Sequence, residues 1–245
     1  MRRFVVVLIV VIFLIDILQA QRDIPKFKPE YELKKRLRFG ILFGINTYGF
    51  NIDRKNNDLN LYADIPKLSA GFHVGIVTDL KLFSLLSLRL LPTVTFVSRQ
   101  VSFYNNENEI YLDLTNGMKG NTTVESIFLE FPLLFKYKSK RINNYQIYLV
   151  AGPDIQFDMS SPTSLSISDG KYISLEAMDY GYEVGVGLDQ YLPYFKLSTE
   201  LKFYSGFSNV LSSRVIDDAD FETDIFIKSI EKLTTYGFKL SVHFE

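Results

Sequence analysis

Residues 127–157 read IFLEFPLLFKYKSKRINNYQIYLVAGPDIQF, and their alternation decides the fold. On one parity stand Ile127, Leu129, Phe131, Leu133, Phe135 and Tyr137; on the other, Phe128, Glu130, Pro132, Leu134, Lys136 and Lys138. The first face is wholly apolar and the second carries the charges. After a polar connection from Ser139 to Asn144 the pattern resumes, with Tyr145, Ile147, Leu149, Ala151, Ile155 and Phe157 opposite Gln146, Tyr148, Val150, Gly152, Asp154 and Gln156. Period-two alternation of this length predicts two strands joined by a hairpin turn. Each arm runs to ten or more residues, beyond the usual ~5–6 of a soluble sheet and close to the ~9–11 that a tilted bilayer crossing requires.

The same pattern recurs on both sides. Phe39, Ile41, Phe43 and Ile45 alternate with Arg38, Gly40, Leu42, Gly44 and Asn46; Ala70, Phe72, Val74 and Ile76 oppose Gly71, His73, Gly75 and Asp79. Leu86, Leu88, Leu90, Val94 and Phe96 face away from Ser87, Arg89, Thr93 and Thr95. Beyond the central hairpin, Met178 to Asp189, Phe195 to Phe203 and Tyr236 to Glu245 repeat it. The connections alternate in length. Asn51–Asn60, Arg99–Asn121, Met159–Ser174 and Gly206–Lys232 are long, with a short helix expected over Phe221–Leu233, whereas Leu80–Leu85, Ser139–Asn144 and Tyr191–Tyr194 are short. About eight antiparallel strands with long and short connections in alternation fit a transmembrane β-barrel with short periplasmic turns and long extracellular loops.

The N-terminus carries an address. Arg2 and Arg3 precede the apolar run Phe4–Ile15, and Leu18-Gln19-Ala20 offers a small residue for cleavage, which predicts a signal peptide over 1–20. An uncleaved anchor is the alternative, opposed by Asp16 interrupting the run before ~18 apolar residues accumulate. Residues 21–37 form a basic lead-in with Pro25 and Pro29, and 38–245 the barrel.

Composition narrows the function classes. The 245 residues are 47% hydrophobic and 15% aromatic, and 27 Lys and Arg balance 28 Asp and Glu, so no basic excess points to nucleic acid. Cysteine is absent, which removes disulfides, thiolate nucleophiles and Cys-ligated zinc.

Periodicity alone leaves the direction of the two faces open: apolar side inward makes a soluble lipocalin-like barrel, apolar side outward a membrane barrel. Glycine decides it. Gly40, Gly44, Gly71, Gly75, Gly152, Gly181, Gly185, Gly187 and Gly237 all share the charged parity, and a small barrel needs such residues in its narrow lumen. Each Lys or Arg facing lipid at the midplane costs ~2–4 kcal/mol, so several would exhaust a folding stability of ~5–15 kcal/mol. The lumen is therefore expected to hold Arg38, Arg89, Glu130, Lys136, Asp154, Asp179, Glu183, Asp189, Lys196, Glu200, Lys202 and Lys239 as a compensated ion-pair network. Tyr137, Tyr145, Tyr191, Tyr194, Phe195 and Phe244 are expected in an interfacial girdle.

Chemistry is not indicated. His73 and His243 share the charged parity, but they are expected at different depths and without a converging site, so the chain reads as no enzyme. No His, Asp or Glu cluster shows ligand spacing, and neither a metal, a cofactor nor a small-molecule substrate is implied.

GFHVGIVTDLKL (71–82), FLEFPLLFKYKSKR (128–141), DYGYEVGVGLDQYLPYFKLSTELKF (179–203) and VHFE (242–245) together resemble the PorT family. The resemblance covers most predicted strands, and EFPLLFKYKSKR and DQYLPYFK are its more specific parts. It implies an outer-membrane protein of Bacteroidota associated with the type IX secretion system and gliding motility, with outer-membrane lipid and other secretion proteins as partners and no catalytic motif.

Overall fold

The computed structural model describes residues 36–54, 62–64, 69–104, 112–113, 118–119, 121–160, 176–210 and 230–245. The expected signal peptide and all but the last residues of the lead-in lie outside this set. Eight long strands are described: β1 (Leu37–Arg54), β2 (Ser69–Lys81), β3 (Leu86–Leu90 continuing as Thr93–Tyr104), β4 (Asn121–Glu130 continuing as Leu133–Lys138), β5 (Tyr145–Asp158), β6 (Met178–Tyr191), β7 (Lys196–Gly206) and β8 (Ile230–Phe244). Each pairs antiparallel with the next, and β8 pairs with β1 through a register that sets Ile41 opposite Phe244 and Thr47 opposite Phe238. The sheet thus closes on itself as an eight-stranded barrel without an open edge.

The faces sort as charge requires. Phe39, Ile41, Phe43 and Ile45 of β1 point outward and are exposed, as are Phe72, Val74 and Ile76 of β2 and Ile147 and Leu149 of β5. Their alternates are buried inside the ring. At the turn side Phe244 stacks between Phe43 and Phe195, with ring centroids 5.3 and 5.9 Å away. Tyr137 and Tyr194 are exposed there, but Tyr191 departs from the expected girdle. Its ring is buried in the lumen and its hydroxyl bonds Gln146, because the strand continues its inward parity through that position.

Strands overrun the polar segments expected to be loops. β1 has 18 residues; at ~3.3 Å each and a tilt of ~40° it rises ~45 Å, well beyond an apolar band of ~25 Å. Likewise β3 reaches Tyr104, β4 starts at Asn121 and β8 starts at Ile230. The short helix expected over Phe221–Leu233 is corrected at its end, since Ile230–Leu233 are strand; the rest lies outside the described residues.

Prolines interrupt β3 and β4 without shifting their register: Thr78 faces Leu90 and Gly75 faces Thr93, while Leu91 donates to the Pro132 carbonyl at 3.2 Å. Pro132 has no N–H to return that bond. The Thr93 hydroxyl supplies the missing donor, at 2.7 Å from the Leu91 carbonyl.

Candidate functional site: the filled lumen

All twelve charges expected inside are buried. Most of them join one chain of ion pairs across the lumen. Near the turn side Lys136 meets Asp189 at 2.8 Å, and Lys196 lies 4.0 Å from Asp189 and 2.7 Å from Glu245. Glu245 receives Arg89 at 2.6 Å; Arg89 also reaches Glu200 at 3.1 Å and Asp79 at 3.5 Å, and Asp79 holds Arg38 at 2.9 Å. The chain continues upward from Glu200 to Lys202 at 3.8 Å, from Lys202 to Glu183 at 2.9 Å, and from Glu183 to Lys239 at 2.5 Å. Lys239 ends it on Glu130 at 2.6 Å, and the Tyr48 hydroxyl donates to Glu130 at 2.7 Å.

Asp154 and Asp179 stand apart from this chain and take neutral donors. Gln156 donates to Asp154 at 3.0 Å and the Tyr204 hydroxyl to Asp179 at 2.9 Å. Buried carboxylates in such company still gain hydrogen bonds that offset part of their desolvation.

Several lumen residues were absent from the expected set. Asp79 and Glu245 share the inward parity and were legible on that ground. Arg99 opens a stretch read as a loop and Asp158 lies one residue past the alternation read for its strand; Arg99 sits over the Phe50 and Phe128 rings at 4.4 and 4.8 Å and reaches Asp158 at 3.4 Å. Aromatic rings do much of the filling. Tyr48, Tyr148 and Tyr204 are buried, and the Lys136 ammonium lies 3.5 Å from the Tyr148 ring centroid. Tyr148 lies directly across from Gly187, in the space a Cβ there would need.

No His, Asp or Glu cluster has ligand spacing along the sequence, but the fold brings one carboxylate trio together. Glu130, Asp154 and Glu183 come from β4, β5 and β6, and one oxygen of each lies within 4.8 Å of the others. Sequence spacing hides this because three strands contribute one residue each. The Lys239 ammonium already sits against two of the three.

The histidines have separate partners. His73 Nε2 lies 2.8 Å from Ser241 Oγ, while Arg89 Nη1 lies 3.4 Å from His243 Nδ1 and Glu200 lies 3.8 Å from His243 Nε2. Among the described residues His73 Nδ1 has no hydrogen-bond partner, so the His–Ser contact there lacks the acid that would orient a general base.

Charge is distributed unevenly along the axis. Within a few positions of the turns, Arg38, Arg89, Lys136, Lys138 and Lys196 face Asp79, Asp189 and Glu245; toward the loops, Lys202, Lys239 and Arg99 face Glu130, Asp154, Glu183, Asp158 and Asp179. With Glu200, which pairs with Arg89, counted among the turn-side acids, the turn half is nearly balanced and the loop half is anionic among the described residues.

Comparison with known proteins agrees with this geometry. Residues 19–212 match the outer membrane protein beta-barrel domain family. No curated protein matches the chain. Among solved structures, the chain is similar to OprG of Pseudomonas aeruginosa (12% identity, TM-score 0.42, covering 84% of this chain and 92% of that one). It is also similar to Neisserial surface protein A (9%, 0.41, 85% and 98%) and to Ail, the attachment invasion locus protein of Yersinia pestis (10%, 0.37, 86% and 99%). The family match extends over most of the sequence, and a closed ring of strands with its apolar face outward is the architecture such a barrel domain requires. This chain belongs to the outer membrane protein beta-barrel domain family and resides in the outer membrane.

Proposed function

We propose that this barrel is a non-enzymatic accessory or assembly component of a type IX-like protein secretion system. The observation that carries the reading is the filled lumen: an unbroken ion-pair chain and buried tyrosines leave no passage for a polypeptide, so the protein acts beside a conduit and not as one. The segments that most specifically resemble the PorT family, 130–141 and 189–196, both border short turns on one side of the barrel. Lys136 and Asp189, one from each, are bonded at 2.8 Å. These turns are the docking side for other secretion components. Deleting the gene, then restoring it with photo-crosslinking residues at Lys140 and Tyr194, tests this. Loss of cargo export together with crosslinks to other envelope proteins is expected; normal export in the deletion strain overturns the reading.

A second reading, a structural or adhesion barrel working through its loops, is favoured by β1, β3 and β8 carrying their connections well clear of the apolar band. Surface proteolysis separates the two. Trimming the loops spares export under the first reading and abolishes attachment under the second.

A further inference from the structure

We propose that the outer wall of the barrel carries a site for the sugar ring of an outer-leaflet glycolipid, in a recess where β2, β3 and β4 leave the apolar band. Among the described residues the ladder between β2 and β3 ends on the loop side at Phe72 and Phe96. The next outward positions carry only the small side chains of Ala70 and Ser98, and a cavity of about 330 Å³ opens there, lined also by Phe72, Phe96, Glu125 and Ile127. That volume falls at the small end of ligand sites, ~300–1,000 Å³.

The lining offers two chemistries on two levels. Phe96 pairs with Ile127 across β3 and β4, and one step nearer the loops Ser98 pairs with Glu125. On the lower level Phe72 and Phe96 stack with ring centroids 4.5 Å apart, and Phe72 stays 56% exposed. The upper level has a hydroxyl and a carboxylate, and Glu125 is exposed with no ion pair among the described residues. A sugar ring matches both levels. Its C–H groups lie against the negative face of an aromatic ring, and its hydroxyls donate to a carboxylate in charge-assisted bonds. Glu125 is the one charged residue of the lining, so like-charge repulsion disfavours a phosphate or sulfate as the bound group.

Depth decides the source of the sugar. Phe72 stands opposite Ile45, the last residue of the apolar belt on β1, and Ala70 opposite Thr47. The recess therefore straddles the edge of the apolar band on the loop side, at the height of the outer-leaflet headgroups. A glycolipid presents its sugar at that height with its chains already beside Phe72 and Ile127, whereas a soluble glycan has to displace lipid first. The site is independent of the secretion reading.

The full barrel, folded into phosphatidylcholine vesicles with increasing fractions of rough lipopolysaccharide, is unfolded in urea and its midpoint followed. A saturable rise is expected in the wild type. Glu125→Ala is expected to weaken the apparent affinity about tenfold, and Phe72→Leu, which keeps the surface apolar but removes the ring, about threefold or more. Phe135→Leu, exposed on the outer wall toward the turns, is expected to match the wild type. Phosphatidylglycerol, charged but without a sugar, should give no rise that depends on Glu125. Deacylated lipopolysaccharide, which keeps the sugars without the chains, should give none either. No rise with lipopolysaccharide, or equal rises in the wild type, Glu125→Ala and Phe72→Leu, overturns the site. A full response to the deacylated form overturns the membrane-borne source.

Discussion

Tyr48 lies across Gly237 on the neighbouring strand, its ring atoms 2.7 Å from where a Cβ would stand. The tyrosine fills lumen that the glycine leaves open, and its hydroxyl is thereby aimed at Glu130. Gly237→Ala must push the ring aside, an overpacking cost of about 1–3 kcal/mol. Urea unfolding in lipid vesicles should show that loss, and Gly237→Ala combined with Tyr48→Phe should still show most of it, because the clash is with the ring and not the hydroxyl.

Lys239 is the counterion for Glu130 and Glu183, and all three are buried. Lys239→Met strands Glu130 and leaves Glu183 with Lys202 alone, both beside Asp154, with an expected destabilisation of about 3–5 kcal/mol. Adding Glu130→Gln should return part of it. A double variant no better than the single one would show that the pair is not coupled.

The Thr93 hydroxyl stands in for the N–H that Pro132 lacks. Thr93→Val keeps the shape and removes the donor, leaving the Leu91 carbonyl unpaired inside the wall. A loss of about 1–3 kcal/mol is expected, read as a lower unfolding midpoint. Pro132→Ala in the Thr93→Val background should recover stability by restoring an amide donor.

The apolar belt on β1 runs from Leu37 to Ile45, and Asn51 lies beyond it. Ile41→Arg should cost about 2–4 kcal/mol in vesicles, while Asn51→Arg should cost about 0–1 kcal/mol. Equal penalties at the two positions would contradict the placement of the bilayer.

A lumen closed by salt bridges should not conduct. Planar-bilayer recordings of the folded barrel are expected to show no stepwise openings in potassium chloride. Lys239→Ala and Arg89→Ala together remove two of the largest buried side chains, and small stepwise openings are expected in that variant as the contrast.

Strand parity made the barrel and its inward charges legible, because lipid enforces one rule on every outward residue between the turns and Ile45. Past the bilayer that rule reverses. Tyr48 and Phe50 turn inward and Asn51 outward, since water now bathes the exterior while packing continues within. A reading tuned to greasy exteriors therefore ends β1 too early and misses Arg99 and Asp158 as lumen residues. Convergence was the other blind spot. Glu130, Asp154 and Glu183 meet only because β4, β5 and β6 lie at a particular stagger, and no spacing along the chain encodes it.

Ile41 and Phe244 face each other across the seam that joins the first long strand to the last. Nearly the whole polypeptide must be synthesised before that pairing is available, and contacts so remote in sequence make folding slow. Until the seam zips, β1 and β8 present bare edges able to template aggregation. A nascent chain of this kind needs protection during its passage across the periplasm.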